Sequence, residues 1–304
     1  MKKFLIRTLV FVALATIVMT VLDLCLTTQL RQRHVGPYSC WTDIFHSRIN
    51  ADIVVLGNSR AWAHFSPAIL DSTLHTHCYN LGHDGSAFNR QYTRYLLYRE
   101  HNPKPRIILQ NIDLATLDFA SGYDQYQYFP YFNDADVRRW ILPYEHFSLA
   151  DKFLPFYRYA NYGLQNLYKD VSPSVQGYCG RDYVWDVDTL TLDIDVKSPF
   201  DTDPRTMSLF DKFLADATAE GIQVILVHSP IHSYLTRRQG DLDKMWNTYQ
   251  QYADKYNLTI LDYTNDTLCD NTKYFYNIMH LNRKGAEIFS RHLAEDLKSM
   301  GIGN

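Results

Sequence analysis

Ser59 and His280 are the two residues of this chain whose types and settings suit nucleophilic chemistry. Ser59 stands in Gly57-Asn58-Ser59-Arg60, directly after the apolar run Ile53-Val54-Val55-Leu56. A serine hydroxyl is a poor nucleophile until a base takes its proton, and histidine is the usual base. His280 alone among the twelve histidines lies in a recognisable pattern, Asn277-Ile278-Met279-His280-Leu281-Asn282, just ahead of the last predicted helix. Other chemistries lack their residues. No glycine-rich phosphate cradle follows a strand, and no Cys, His, Asp or Glu group has metal-ligand spacing. Neither a nucleotide cofactor nor a metal is expected.

These two residues can meet only if the fold brings them to one edge. Ile53 to Leu56 is an unbroken apolar run, as expected of a strand buried on both faces of a parallel sheet. Gly57 permits a sharp turn, and Ser66-Pro67 signals a helix start, with the helix running to Leu74. Cys78 to Leu81 reads as a second strand, followed by Gly82-His83-Asp84-Gly85 and a helix from Ser86, its cap, to Glu100. Arg106 to Ile112 contains a third strand. Residues 119–203 break the alternation. It resumes with a helix from Pro204, ended by Gly221, a strand at Gln223–Val227, a helix at Leu242–Tyr256, a strand at Thr259–Asp262 and a last helix capped by Asn282. Five strands with helices between them predict a three-layer α/β/α domain at 49–304, with a parallel sheet of flavodoxin-like order. The loops after the first and fifth strands then open on the same edge, where such sheets bind ligands.

The remaining features bound the setting. Lys2, Lys3 and Arg7 precede an apolar run from Thr8 to Leu26 that is long enough to cross a bilayer. No small-x-small cleavage signal follows. Residues 1–29 therefore read as an uncleaved transmembrane signal anchor with the rest of the chain outside the cytoplasm. A cleaved signal peptide is the alternative. Residues 30–48 read as a linker. The net charge of −3 argues against a nucleic-acid partner. Five cysteines, at 25, 40, 78, 179 and 269, allow up to two disulfides or free buried thiols. Sixteen aromatic residues crowd Phe119 to Tyr168 within the 119–203 insertion. Two readings of them stay open: a local core or membrane-facing surface, and a surface for carbohydrate or acyl groups. Val171 to Pro199 reads as loop with a short hairpin.

Around these residues the sequence resembles the SGNH (GDSL-like) hydrolase superfamily, in particular its membrane-anchored extracytoplasmic branch associated with acylation of cell-envelope polymers. Residues 50–118 and 204–298 carry the resemblance. Gly57-Asn58-Ser59-Arg60 is similar to the nucleophile block, and Asn80-Leu81-Gly82-His83-Asp84-Gly85 to the second block. Ile108 to Asp113 takes the place of the third block, and Asn277 to Asn282 that of the last, usually D-x-x-H. The resemblance implies Ser59 as nucleophile, His280 as base, Asn277 as its orienter, and the Ser59 and Gly85 N–H groups as the oxyanion hole. Asn58, Arg60, Asp84 and Asp113 are then candidates for substrate binding or support. It implies an esterase or O-acyltransferase, with an envelope glycan or acylated polymer as substrate and a membrane-bound acyl-transfer partner.

The chain departs from the pattern twice. The third block, whose asparagine the resemblance makes an oxyanion-hole donor, lacks its Gly-x-Asn-Asp setting and reads Gln110-Asn111-Ile112-Asp113, with Asn111 inside the strand. Asn277 replaces the aspartate of the triad, and Asp262 and Asp266 are the candidates to substitute for it. These departures imply a slow enzyme, a substitute acid, or lost activity, the last being the alternative of a catalytically impaired protein that binds glycan or assists assembly. His64, His83 and His228 read as ordinary polar residues near a site.

Overall fold

The computed structural model describes residues 1–36, 38–119, 125–142, 147–168, 173–186 and 200–303. The chain divides into two compact units, one of residues 1–43 and 121–173, the other of residues 44–120 and 174–304.

The second unit is built on five strands: β1 (Ile53–Leu56), β2 (Cys78–Asn80), β3 (Ile107–Asn111), β4 (Gln223–His228) and β5 (Thr259–Asp262). Their order is β2-β1-β3-β4-β5, with every pairing parallel, the flavodoxin-like sheet expected from the sequence. The chain leaves β1 towards β2 on one side and later returns to β3 on the other. The loops after β1 and β3 therefore diverge at a switch point and leave a crevice. Strand side chains alternate between faces. Ile53, Val55, Leu109, Ile225 and Val227 share one core with Phe65, Leu70, Phe289 and Leu293. That face is covered by α3 (Ser59–His64), α4 (Pro67–Leu74) and α13 (Arg283–Ser299), and α10 (Pro204–Ala219) packs with α5 (Phe88–His101) and α12 (Leu242–Tyr256). Phe88, Phe210, Phe213 and Tyr249 interlock among these three helices, with the Phe88 and Phe210 rings edge to face at 4.7 Å. Each such fully buried side chain contributes roughly 1.5–3 kcal/mol.

Five local features differ from the sequence reading. Tyr38–Phe45, within the stretch read as a linker, forms a helix, α2, and Ser233–Thr236 forms a short helix, α11. Residues 59–64 form a helix of their own, α3, ahead of the helix signalled at Ser66-Pro67. Ser86 does not cap α5: the helix starts at Phe88 after Ala87, and the Ser86 hydroxyl donates to the His83 carbonyl at 2.7 Å. Residues 275–281 form an antiparallel pair, β6 (Phe275–Asn277) and β7 (His280–Leu281), with Asn277 opposite His280. Gly57 is required where it stands. Its φ is +150°, and a Cβ there would lie 2.5 Å from the Ala61 Cβ and 2.8 Å from the Asn111 Cβ. No disulfide forms among the described residues; Cys25 is exposed and the other four cysteines are buried. The hairpin read in 171–199 falls largely outside the described residues.

The first unit starts with α1 (Lys2–Arg31), a 30-residue helix long and apolar enough to cross a membrane. From residue 125 the chain makes a 3₁₀ turn (Gln125–Tyr131) and four short helices, α6 (Ala135–Trp140), α7 (Leu149–Phe153), α8 (Tyr157–Tyr162) and α9 (Leu164–Leu167). The aromatic residues supply this unit's own core. Tyr38, Phe129 and Tyr159 are buried with Leu30 and Leu167, and Leu26, Tyr126, Phe147, Phe156 and Tyr162 pack around them. The last turns of α1 are thus part of a folded body.

Candidate active site

Ser59 is the first residue of α3, at the carboxyl end of β1. Asn58 caps that helix by accepting the Arg60 N–H at 3.0 Å. Asn80, at the end of β2, fixes the helix to the neighbouring loop. Its amide donates to the Ala61 and Phe65 carbonyls at 2.8 and 2.9 Å and accepts the Gly82 N–H at 2.8 Å. Gly85 ends that loop with φ +62° and lines the crevice beside Ser59.

His280 reaches Ser59 from β7. Its Nε2 is 2.8 Å from the Ser59 Oγ, and its Nδ1 is 2.9 Å from the Asn277 Oδ1. Asn277 directs that oxygen with its own turn. The same Oδ1 accepts the backbone N–H groups of Met279 at 3.0 Å and His280 at 2.9 Å. Flipping the amide would turn NH₂ onto two N–H donors, so the hydrogen-bond network assigns the oxygen to His280. Nδ1 then carries the proton and donates it to Asn277, and the lone pair of Nε2 faces the serine hydroxyl. This is the tautomer a general base needs. Burial, and the Arg60 cation next, push the His280 pKa down to about 4, and Asp113 partly opposes them. The ring is neutral at pH 7 and competent to accept a proton.

Sequence reasoning missed what holds the ring in place. Tyr276 stacks on His280, with centroids 5.2 Å apart and planes 7° apart. His64, at the end of α3, accepts the Leu281 N–H through Nε2 at 3.0 Å, and its Nδ1 donates to the Ser229 Oγ at 3.0 Å. Burial above all, then Arg60, holds His64 neutral. His64, at the end of the helix that carries Ser59, is therefore tied to the residue after His280. Nothing in its sequence context marks it, because α3 itself was not legible.

Neither substitute for the triad acid reaches His280. Asp262 pairs with His228 Nδ1 at 3.4 Å, and Asp266 pairs with His292 at 2.7 Å. His228 continues to Arg60, with Nε2 3.5 Å from one guanidinium nitrogen.

Asp113 lies on the crevice wall where the resemblance would place an oxyanion donor. Its carboxylate is turned to protein donors. Oδ2 accepts from Asn58 Nδ2 at 2.6 Å and lies 3.8 Å from Arg60, while Oδ1 accepts from the Ala115 N–H and the Thr116 hydroxyl at 3.0 Å each. Arg60 is buried and committed to Asp113 and to the Ser229 carbonyl. Asn58, Arg60 and Asp113 form one supporting unit. Asn111 is fully buried in β3 and does not line the crevice, and the exposed Asp84 does not line it either.

The crevice encloses about 350 Å³. Asn58, Ser59, Gly85, Asp113 and His280 line it together with the apolar Leu114, Phe119, Ile231, Leu235 and Met279. The volume is at the small end for a ligand site, and the apolar lining suits a short acyl chain beside the serine.

No family model and no curated relative matches the chain. Solved structures do. A protein named for the G-D-S-L lipolytic family, from Desulfitobacterium hafniense, is 11% identical over 81% of this chain and 99% of its own, with a TM-score of 0.42. A protein named as an acylhydrolase, from Bacteroides fragilis, is 12% identical over 82% of this chain and 86% of its own, with a TM-score of 0.40. A GDSL-like lipase from Bacteroides thetaiotaomicron is 11% identical over 80% and 87%, with a TM-score of 0.37.

Proposed function

We propose that this chain is a serine esterase or O-acyltransferase of SGNH type, acting on acyl esters of cell-envelope glycans from the outer side of the membrane that α1 crosses. One observation carries the enzymatic reading. His280 is 2.8 Å from the Ser59 hydroxyl, with its other nitrogen locked by Asn277 in the tautomer of a base. A glycan-binding or accessory protein has no need of that distance.

In this reading the Ser59 Oγ attacks the acyl carbonyl while its proton passes to His280 Nε2. The Ser59 and Gly85 N–H groups receive the oxyanion. Collapse expels the alcohol, which takes the proton back from His280, and leaves an acyl ester on Ser59. Water then regenerates the enzyme in an esterase, and a sugar hydroxyl in a transferase. The polymer substrate and the extracytoplasmic placement rest on the sequence resemblance and on the basic residues ahead of α1. The short apolar crevice supports a small acyl group.

The test is labelling of the full chain in detergent with a fluorophosphonate probe, beside Ser59→Ala and His280→Ala. Stoichiometric labelling lost in both variants is the expected result. A folded wild-type chain that does not label would overturn the enzymatic reading in favour of the accessory role.

A further inference from the structure

The first unit holds a buried ion pair and an exposed apolar surface that the chemistry at Ser59 does not use. Asp23, the one charged residue between Thr8 and Leu26 of α1, lies 2.8 Å from Arg158, and both side chains are largely buried. Asp23 also accepts the Phe156 N–H at 2.7 Å, and one turn later Thr27 shares a hydrogen bond with the Tyr159 hydroxyl at 2.8 Å. The segment around residue 156 is therefore fastened to α1 at the level of Asp23. Immediately before it, Leu149, Phe153 and Leu154 are 73%, 76% and 55% exposed. Three large apolar side chains grouped on a short segment are not the scattered single exposures of an ordinary surface.

The level at which they sit identifies their occupant. The exposed apolar side chains of α1 run from Phe4 to Leu24. That stretch rises about 31 Å at 1.5 Å per residue, close to the hydrocarbon thickness of a bilayer. Leu24 thus marks the end of the hydrocarbon, and Asp23 lies at its boundary, where a charged residue costs least. Phe153 and Leu154 precede the Phe156 N–H bonded to Asp23 by three and two residues, and Leu149 lies one helical turn before Phe153, which sets all three near that boundary. The exposed Lys152 between them suits the headgroup layer.

We propose that residues 148–157 form a membrane-interface platform, clamped to α1 by Asp23 and Arg158, with Leu149, Phe153 and Leu154 set among lipid headgroups and upper acyl chains. The platform lets the folded part of this unit rest on the bilayer at fixed depth instead of hanging from a flexible tether.

The proposal rests on α1 crossing the membrane, and one experiment separates the two. The photoreactive residue p-benzoylphenylalanine replaces either Leu14, at mid-helix, or Phe153. The full chain is reconstituted in phosphatidylcholine–phosphatidylglycerol vesicles, irradiated and analysed by mass spectrometry of its peptides. Lipid adducts at both positions are expected. An adduct at position 14 without one at 153 overturns the platform and keeps the span. No adduct at 14 overturns both. A cross-link from 153 to a second copy of the chain overturns lipid as the occupant. Asp23→Asn in the 153 probe chain should reduce the lipid adduct at 153 to background and leave that at 14 unchanged in its own Asp23→Asn chain. An adduct at 153 unaffected by Asp23→Asn would overturn the clamp.

Discussion

Replacing Asn277 by aspartate should make this site faster, and the structure says by how much. The three hydrogen bonds of the Asn277 side chain, from the Met279 and His280 N–H groups and from His280 Nδ1, all converge on Oδ1. A carboxylate oxygen can take that place with the same partners, so Asn277→Asp adds charge without moving the ring. The Asp-to-Asn loss of about 10⁴ in a Ser-His-Asp protease comes with the wrong tautomer. Here the tautomer is already correct, and the effect reduces to charge. A carboxylate in contact with a histidine raises its pKa by roughly 1–3 units, or about 1.4–4 kcal/mol of imidazolium stabilisation. Coulomb attraction at about 4 Å and an effective dielectric constant of about 20 gives a similar 4 kcal/mol. A transition state with a fully formed imidazolium would therefore be reached about 10–10³ times faster. The acid limb of the pH–rate profile would move from about 4 in the wild type to roughly 5–7 in the variant. The assay is kcat/KM for a short-chain p-nitrophenyl ester from pH 3.5 to 8. A rate that rises less than about threefold with an unmoved acid limb would show that the missing charge does not limit this site.

Three further outcomes follow from the same geometry. Fluorophosphonate labelling of the wild type should hold from pH 8 to about 5 and fall only as pH drops through about 4, because the neutral ring is the base and its pKa is depressed; loss of labelling centred near 6.5 would contradict the burial of His280. Asn80→Ala should lower stability by roughly 2–4 kcal/mol, since it strands two carbonyls and an N–H in a buried place, and should cut activity in the protein that remains folded by loosening α3 against the Gly85 loop; denaturant titration and ester assays check both. Asp113→Asn, which installs the residue type of a family oxyanion donor, should fail to speed the reaction and should destabilise by about 3–5 kcal/mol, because Arg60 would be left buried without its counter-ion; a variant that is as stable as the wild type and faster would refute the supporting role given to Asp113.

What could be read from the sequence follows burial. Ile53 to Leu56, Ile107 to Leu109 and Val224 to Val227 are covered on both faces, and that alone forces the unbroken apolar runs that mark them as strands. Strand order followed from the alternation, and strand order placed Ser59 and His280 on one edge. What escaped was short or held by partners distant in the chain. The six residues of α3 have no room for helical periodicity, and Asn58 and Asn80 secure their ends. The pairing of β6 with β7 consists of a few bonds around the Asn277 turn. His64 and Ser229 acquire their roles only when α3 and β4 have brought them under β7. Asp262 looked available because sequence proximity to His280 said nothing of His228, which takes its carboxylate.

The two departures from the pattern that the sequence resembles are linked through Arg60. A site with aspartate beside its histidine carries a net negative charge next to the base. Here the carboxylate that lines the crevice is Asp113, and Arg60 faces it at 3.8 Å. Arg60 also disfavours a proton on His280. The fixed charges therefore nearly cancel around a neutral base. In the proposed reaction the two charges that develop, imidazolium on His280 and oxyanion beside Ser59 and Gly85, have chiefly each other and the oxyanion N–H groups for stabilisation. Such a site should depend unusually strongly on those N–H groups. Moving the Gly85 loop, for instance by Gly82→Ala, whose Cβ would lie 2.5 Å from the Trp62 backbone nitrogen, should cost at least the 10²–10³ in kcat that losing one oxyanion donor costs elsewhere. A loss below about tenfold in a folded Gly82→Ala chain would mean that the oxyanion is held by groups other than those assigned here.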